Sequence, residues 1–199
     1  MKKKLLVLFK QNKGYARLKD VRNTMLHTRE IAKAVSEGEV EKVKAGLYKL
    51  VNYKWDENNS MIDVSKSNKT AVICLLSALS YYELTNFNPS EITVAVPNNA
   101  PKFKLNYPPI KVYYFSDTSY PIGIDELKLK HGTIKIYNKE KTICDMFRYR
   151  KKLGEDIAME GLKNYLQLKE ANINKLLEYA EKCKVKTIIM PYLKALMAR

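Results

Sequence analysis

Histidine, cysteine, glycine and proline are scarce in this chain, and acidic residues fall well short of basic ones. The three cysteines, Cys74, Cys144 and Cys183, lie far apart without a C-x-x-C pair, and only His27 and His131 could join them as metal ligands. Such spacing signals neither a disulfide framework nor a zinc site, so a cytoplasmic location is expected, with no metal or other cofactor. None of the seven glycines is followed by serine, so the Gly-Ser opening of a nucleotidyltransferase site is missing. The G-x-x-x-x-G-K phosphate loop and the G-x-S-x-G nucleophile turn are missing too, and no enzyme is expected from a recognisable motif. The apolar run Leu5 to Phe9 resembles a signal-peptide core but ends at Lys10 after five residues, too short to insert. No stretch approaches the ~20 apolar residues of a spanning helix, so no membrane partner is expected.

Positive charge is what the chain has in excess: 36 Lys and Arg stand against 21 Asp and Glu, a formal net charge of +15. The excess is uneven, because residues 1–55 carry 14 basic against 5 acidic side chains. A basic module joined to a milder body is the pattern of a nucleic-acid reader with a second, regulatory part. The boundary is expected near residue 55, where a polar stretch of weak periodicity begins, giving modules at 1–55 and 56–199.

Within the first module, Leu5, Leu8 and Phe9 recur at helical spacing and predict a helix over 2–11, ended near Gly14. A second helix is expected over 16–22. A third is expected from Thr28, taken as its N-cap, with Ile31, Ala34 and Val35 inward and a stop at Gly38. The runs Val40 to Lys44 and Leu47 to Leu50, separated by Ala45-Gly46, predict a hairpin. Three helices and a hairpin read as a winged helix-turn-helix whose third helix enters the major groove of double-stranded DNA.

On that reading Thr28, Arg29, Lys33 and Ser36 face the bases, Arg29 being suited to guanine because a guanidinium donates two parallel hydrogen bonds. Lys13, Arg17, Lys19, Lys42, Lys44 and Lys49 are expected to neutralise phosphates. Tyr15 and Tyr48 read as packing aromatics.

The remainder reads as α+β: a buried helix over 69–82, strands at 92–96, 111–115 and 133–137, a proline-rich loop through Pro97, Pro101, Pro108 and Pro109, and a helical tail from 141. Two other functions bear on this part. Asp117 followed by Glu126 and Lys128 matches the loose pattern of a divalent-metal nuclease, and Lys182, Lys184 and Lys186 could meet RNA.

The order Gly14-Tyr15-Ala16, Thr28-Arg29-Glu30-Ile31, Ala45-Gly46-Leu47-Tyr48, Leu76-Ser77-Ala78-Leu79-Ser80, Thr93-Val94-Ala95-Val96-Pro97 and Lys141-Thr142-Ile143-Cys144-Asp145 spans nearly the whole chain. It resembles the AbiEi family, antitoxins of type IV toxin-antitoxin systems of abortive phage infection. The resemblance implies a winged helix that represses its own operon through promoter inverted repeats, and a second domain that counteracts a nucleotidyltransferase toxin without a stable complex. The chain departs from the family in having Lys141 where Arg is usual, and in lacking the glycine often found in the helix-turn-helix turn. Lys141, Thr142 and Asp145 also read as a helix cap and ion pair.

Overall fold

A computed structural model describes residues 1–24 and 26–198. They form an α+β protein with two small sheets, divided into two compact units. The first unit gathers Met1–Lys69, Lys104–Pro108 and Lys128–Thr133; the second holds Thr70–Phe103, Pro109–Leu127 and the chain from Ile134 onward.

The first unit runs α1 (Lys3–Gln11), β1 (Tyr15–Arg17), α2 (Leu18–Asn23), α3 (Thr28–Ser36), β2 (Val40–Lys44), β3 (Leu47–Leu50) and α4 (Asn59–Ser67). Helix α1 buries Leu5, Leu8 and Phe9 against Val21, Ile31, Ala34 and Val40. Burial of such side chains contributes about 1.5–3 kcal/mol each. Gly14 ends the turn after α1 with φ +89°, its N–H bonded to the Phe9 carbonyl at 2.7 Å; a Cβ there would lie 2.5 Å from the Trp55 ring. The hairpin matches its expected limits, with Gly46 at its tip.

Strand β1 replaces the start of the expected second helix. Tyr15, Ala16 and Arg17 pair antiparallel with Lys49, Tyr48 and Leu47, giving a sheet of order β1-β3-β2. Three residues are too few for alternation to register locally; the strand exists because β3 offers it an edge. The first unit also extends to Lys69, past the boundary expected at 55, because α4 packs a largely polar face inward. Asn59, Asp63 and Ser67 of α4 are buried with Ile62 and Val64. Tyr15 Oη donates to Asp63 Oδ1 at 2.7 Å and Asn59 Oδ1 at 3.0 Å, while Lys49 Nζ donates to Asp63 Oδ2 at 2.7 Å.

The second unit is built on a mixed sheet of order β6-β5-β4-β8-β7, from β4 (Val72–Ile73), β5 (Ile92–Pro97), β6 (Ile110–Phe115), β7 (Ile124–Leu129) and β8 (Gly132–Tyr137), the last two residues of β7 and the first two of β8 being counted with the first unit. The residues between Lys69 and Tyr82 are not one helix. Val72 and Ile73 pair with Ala95 and Val94, and only after Cys74 does α5 (Leu75–Tyr81) begin. Here β-branched residues between two ready strand edges outweigh a continuous apolar run. Strand β7 was not expected, because its charged residues Asp125, Glu126 and Lys128 mask alternation; they suit the edge of a sheet.

Helices α6 (Lys139–Leu153), α7 (Glu155–Leu166), α8 (Ile173–Lys182) and α9 (Lys186–Met197) fall close to their expected places. Asn138 caps α6 by accepting the Lys141 N–H at 3.1 Å. One turn into α6, Lys141 and Asp145 form an ion pair of 2.5 Å with both side chains at 0 % exposure. The ammonium lies 4.5 Å from the Tyr137 ring centroid and 4.8 Å from that of Phe115, and reaches Ser119 Oγ at 3.4 Å. Gly123, at φ +71°, makes room for this cluster, since a Cβ would fall 2.8 Å from Lys141 Cβ.

Removing one member of this pair leaves a buried charge uncompensated. Asp145→Ala is expected to lower the unfolding free energy by about 3–5 kcal/mol, and Lys141→Met combined with Asp145→Leu to recover most of that loss, both measured by denaturant titration.

Candidate nucleic-acid interface

Helix α3 buries Ile31 and Ala34, each 1 % exposed, and turns the remaining positions to solvent. Thr28, Arg29, Ala32, Lys33 and Ser36 are all exposed, as the 3.6-residue period requires for positions away from Ile31 and Ala34. Two local details differ from expectation. His27 is the N-cap residue, without a side-chain capping bond, and Thr28 is the first residue of the helix. Val35 is 37 % exposed rather than inward, since it lies one position past the buried stripe.

The neighbours of this face are mild. Lys33 approaches Glu37 at 3.7 Å, an exposed pair one turn apart that contributes a few tenths of a kcal/mol. Ser36 Oγ donates to the Lys33 carbonyl at 2.8 Å and keeps its lone pairs. Glu30, beside the face, is taken by Lys2 at 2.7 Å, and that hydrogen bond holds its carboxyl below the usual carboxylate range. Arg29 therefore presents positive charge with Glu30 already engaged by Lys2, while the charge of Lys33 is shared with Glu37.

The six expected phosphate lysines and arginines separate into three kinds. Lys13, Lys19 and Lys42 are exposed. Arg17 and Lys44 are half-buried and anchored by one donor each, Arg17 Nη2 to the Lys66 carbonyl at 2.9 Å and Lys44 Nζ to the Ser67 carbonyl. Lys49 is a correction. It is buried at 7 % exposure, with Asp63 at 2.7 Å and Glu41 at 2.9 Å. Burial pulls its ammonium down, but the hydrogen bonds to Asp63 and Glu41 outweigh this and hold it above its ordinary range. Lys49 sits on the inward side of β3 and supports the sheet instead of reaching a phosphate.

One basic residue went unrecognised in the sequence. Lys66, on α4, packs 4.5 Å from the Tyr15 ring centroid, and its ammonium is lowered by burial and then by the charges of Arg17 and Lys13. Lys66 is thus a half-buried ammonium with the like charges of Arg17 and Lys13 as neighbours. The available signal was its i,i+3 spacing from Asp63 in a stretch that reads as polar linker.

In the second unit, Asp117 follows β6 and Glu126 lies on β7, at opposite edges of the five-stranded sheet. Asp117 lies in the segment that leads from β6 to β7, and among the described residues no group of three or more His, Cys, Asp or Glu side chains is placed to hold a metal ion. Glu126 instead faces Lys135 at 3.5 Å. Among the lysines that suggested RNA, Lys182 pairs with Glu178 at 2.5 Å and Lys186 with Glu181 at 2.9 Å, so much of that charge is locally balanced. Cys74, Cys144 and Cys183 are free and buried, and burial pushes each thiol above its ordinary range. Among the described residues no helix is long and apolar enough to cross a membrane.

No family model matches the chain, and no curated protein is significantly similar to it.

The division among the basic residues has a measurable consequence. Lys49→Ala is expected to destabilise the protein by about 3 kcal/mol by stranding Asp63, whereas Lys13→Ala changes stability by less than about 0.5 kcal/mol. Thermal unfolding of both variants at constant salt distinguishes the two roles.

Proposed function

We propose that the chain is a DNA-binding repressor and antitoxin of a type IV toxin-antitoxin system, with the first unit acting as a winged helix-turn-helix. Helices α2 and α3 are the helix-turn-helix pair, β2 and β3 the wing, and α3 the helix that lies in the major groove. The observation that carries this reading is the exposed face of α3, where Thr28, Arg29, Lys33 and Ser36 project together above a buried stripe of Ile31 and Ala34. A nine-residue helix is about 13 Å long, short enough to enter a groove about 12 Å wide with its outward side chains on base edges.

Around that helix, Lys13, Arg17, Lys19, Lys42, Lys44 and Lys66 supply sequence-blind attraction to phosphates. The resemblance to the AbiEi family adds the operator, an inverted repeat upstream of the chain's own gene, and the opponent, a nucleotidyltransferase toxin met without a stable complex. The second unit carries the antitoxin half, and the protein works in the cytoplasm.

Binding to a duplex of the sequence upstream of the gene, compared with a scrambled duplex of equal length, tests the DNA half. Arg29→Ala is expected to reduce the preference for the natural duplex by about 1–3 kcal/mol, while Lys13→Ala weakens both duplexes alike. Equal affinity of the unaltered protein for the two duplexes overturns the repressor reading. Co-expression with the toxin encoded beside it tests the other half: Arg29→Ala is expected to preserve growth rescue while losing repression.

A further inference from the structure

The proline-rich connection between β5 and β6 passes through the first unit. Lys104–Pro108 belongs to that unit, although the residues on either side of it belong to the second. This segment and β2, one of the two edge strands of the three-stranded sheet, line an open cavity of about 300 Å³ together, with Lys42, Lys44, Lys104 and Asn106 among its walls. That volume holds on the order of ten water molecules, enough for a hydrated phosphate group.

The charge of this cleft is one-sided. Three lysines are among its lining residues, and no Asp or Glu is. Glu41, adjacent to Lys42 in the strand, is drawn to Lys49 at 2.9 Å. Lys44 spends one of its three donors on the Ser67 carbonyl and retains two. Beside the cleft Tyr107 is 62 % exposed, and the Lys49 ammonium lies 6.0 Å from its ring centroid. Lysine ammonium, asparagine amide and tyrosine hydroxyl are donors that proteins use on nucleic-acid backbones. The lysines come from two separate segments, Lys42 and Lys44 from an edge strand and Lys104 from the connection beside it, a spread that suits a repeating polyanion better than a single small anion.

We propose that Lys104, with Asn106 and Tyr107, extends the wing into a second backbone-binding surface, gripping the phosphates of duplex DNA together with Lys42 and Lys44. This rests on the reading of the first unit as a DNA reader and deepens it. The segment contributes affinity without sequence preference, because it offers donors to phosphates rather than a side chain suited to one base edge.

The test is a salt series of full-chain binding to the natural upstream duplex, the scrambled duplex and a duplex RNA of the same sequence, for the unaltered protein, Lys104→Ala and Arg29→Ala. Lys104→Ala is expected to weaken both DNA duplexes alike, roughly fivefold near physiological salt, and to make the log-log salt dependence shallower by about one. Its melting temperature should not move, since the side chain is exposed. A Lys104→Ala protein with unaltered affinity and salt dependence overturns the inference, and leaves the reader intact if Arg29→Ala still loses preference. Loss confined to the RNA duplex overturns it in favour of an RNA-facing cleft. Absence of DNA binding by the unaltered protein overturns both the inference and the reading beneath it.

Discussion

A lysine ammonium withdrawn from water must take a carboxylate with it, and both units of this protein are organised around that requirement. The desolvation penalty for each ion is several kcal/mol, and only close pairing with further hydrogen bonds offsets it. In the first unit Lys49 on β3 finds Asp63 on α4, whose other oxygen receives the Tyr15 hydroxyl from β1. One carboxylate thereby fixes three elements, and the expected linker after residue 55 becomes a packed helix. In the second unit Lys141 and Asp145 meet within one turn of α6, enclosed by Tyr137 and Phe115. Full burial takes that pair out of reach of any partner and assigns it to architecture.

The same requirement sorts the basic residues of a strongly basic chain. Those that found carboxylates inside the fold are spent on stability. Others, such as Arg29 on α3 and Lys42 on β2, stay exposed at the surface, and half-buried Lys66 keeps the like charges of Arg17 and Lys13 as neighbours. Net charge alone gave a total; the pairing pattern separates the part directed outward from the part directed inward.

Much of this was legible in the residues. The hairpin at Val40–Lys44 and Leu47–Leu50, the helix at Thr28–Ser36 with its exposed face, and the four C-terminal helices follow from periodicity and turn chemistry. The failures share a cause. Helix α4 turns Asn59, Asp63 and Ser67 inward, so a search for apolar periodicity passes over it. Lys49 alternates correctly for an inward position on β3, but its charge argued for solvent, and only its distant partner Asp63 reverses that. Strand β1 and the two-residue β4 exist through partners far along the chain, and no local pattern announces them. The apolar run at 69–82 held two kinds of element because strand edges supplied by β5 and β8 captured its first residues.

The path of the chain carries a consequence for how such a protein can change over generations. Its first unit is not a contiguous block, since Lys104–Pro108 and Lys128–Thr133 return to it from between strands of the second. His131, whose ring stands edge-on to Tyr53 and Trp55, arrives by the second of these returns. A recombination joint placed after Lys69 would carry off the helices and the hairpin but leave that ring behind with the other parent. Because the chain returns to the first unit twice, no single joint in the sequence could exchange one unit whole for another.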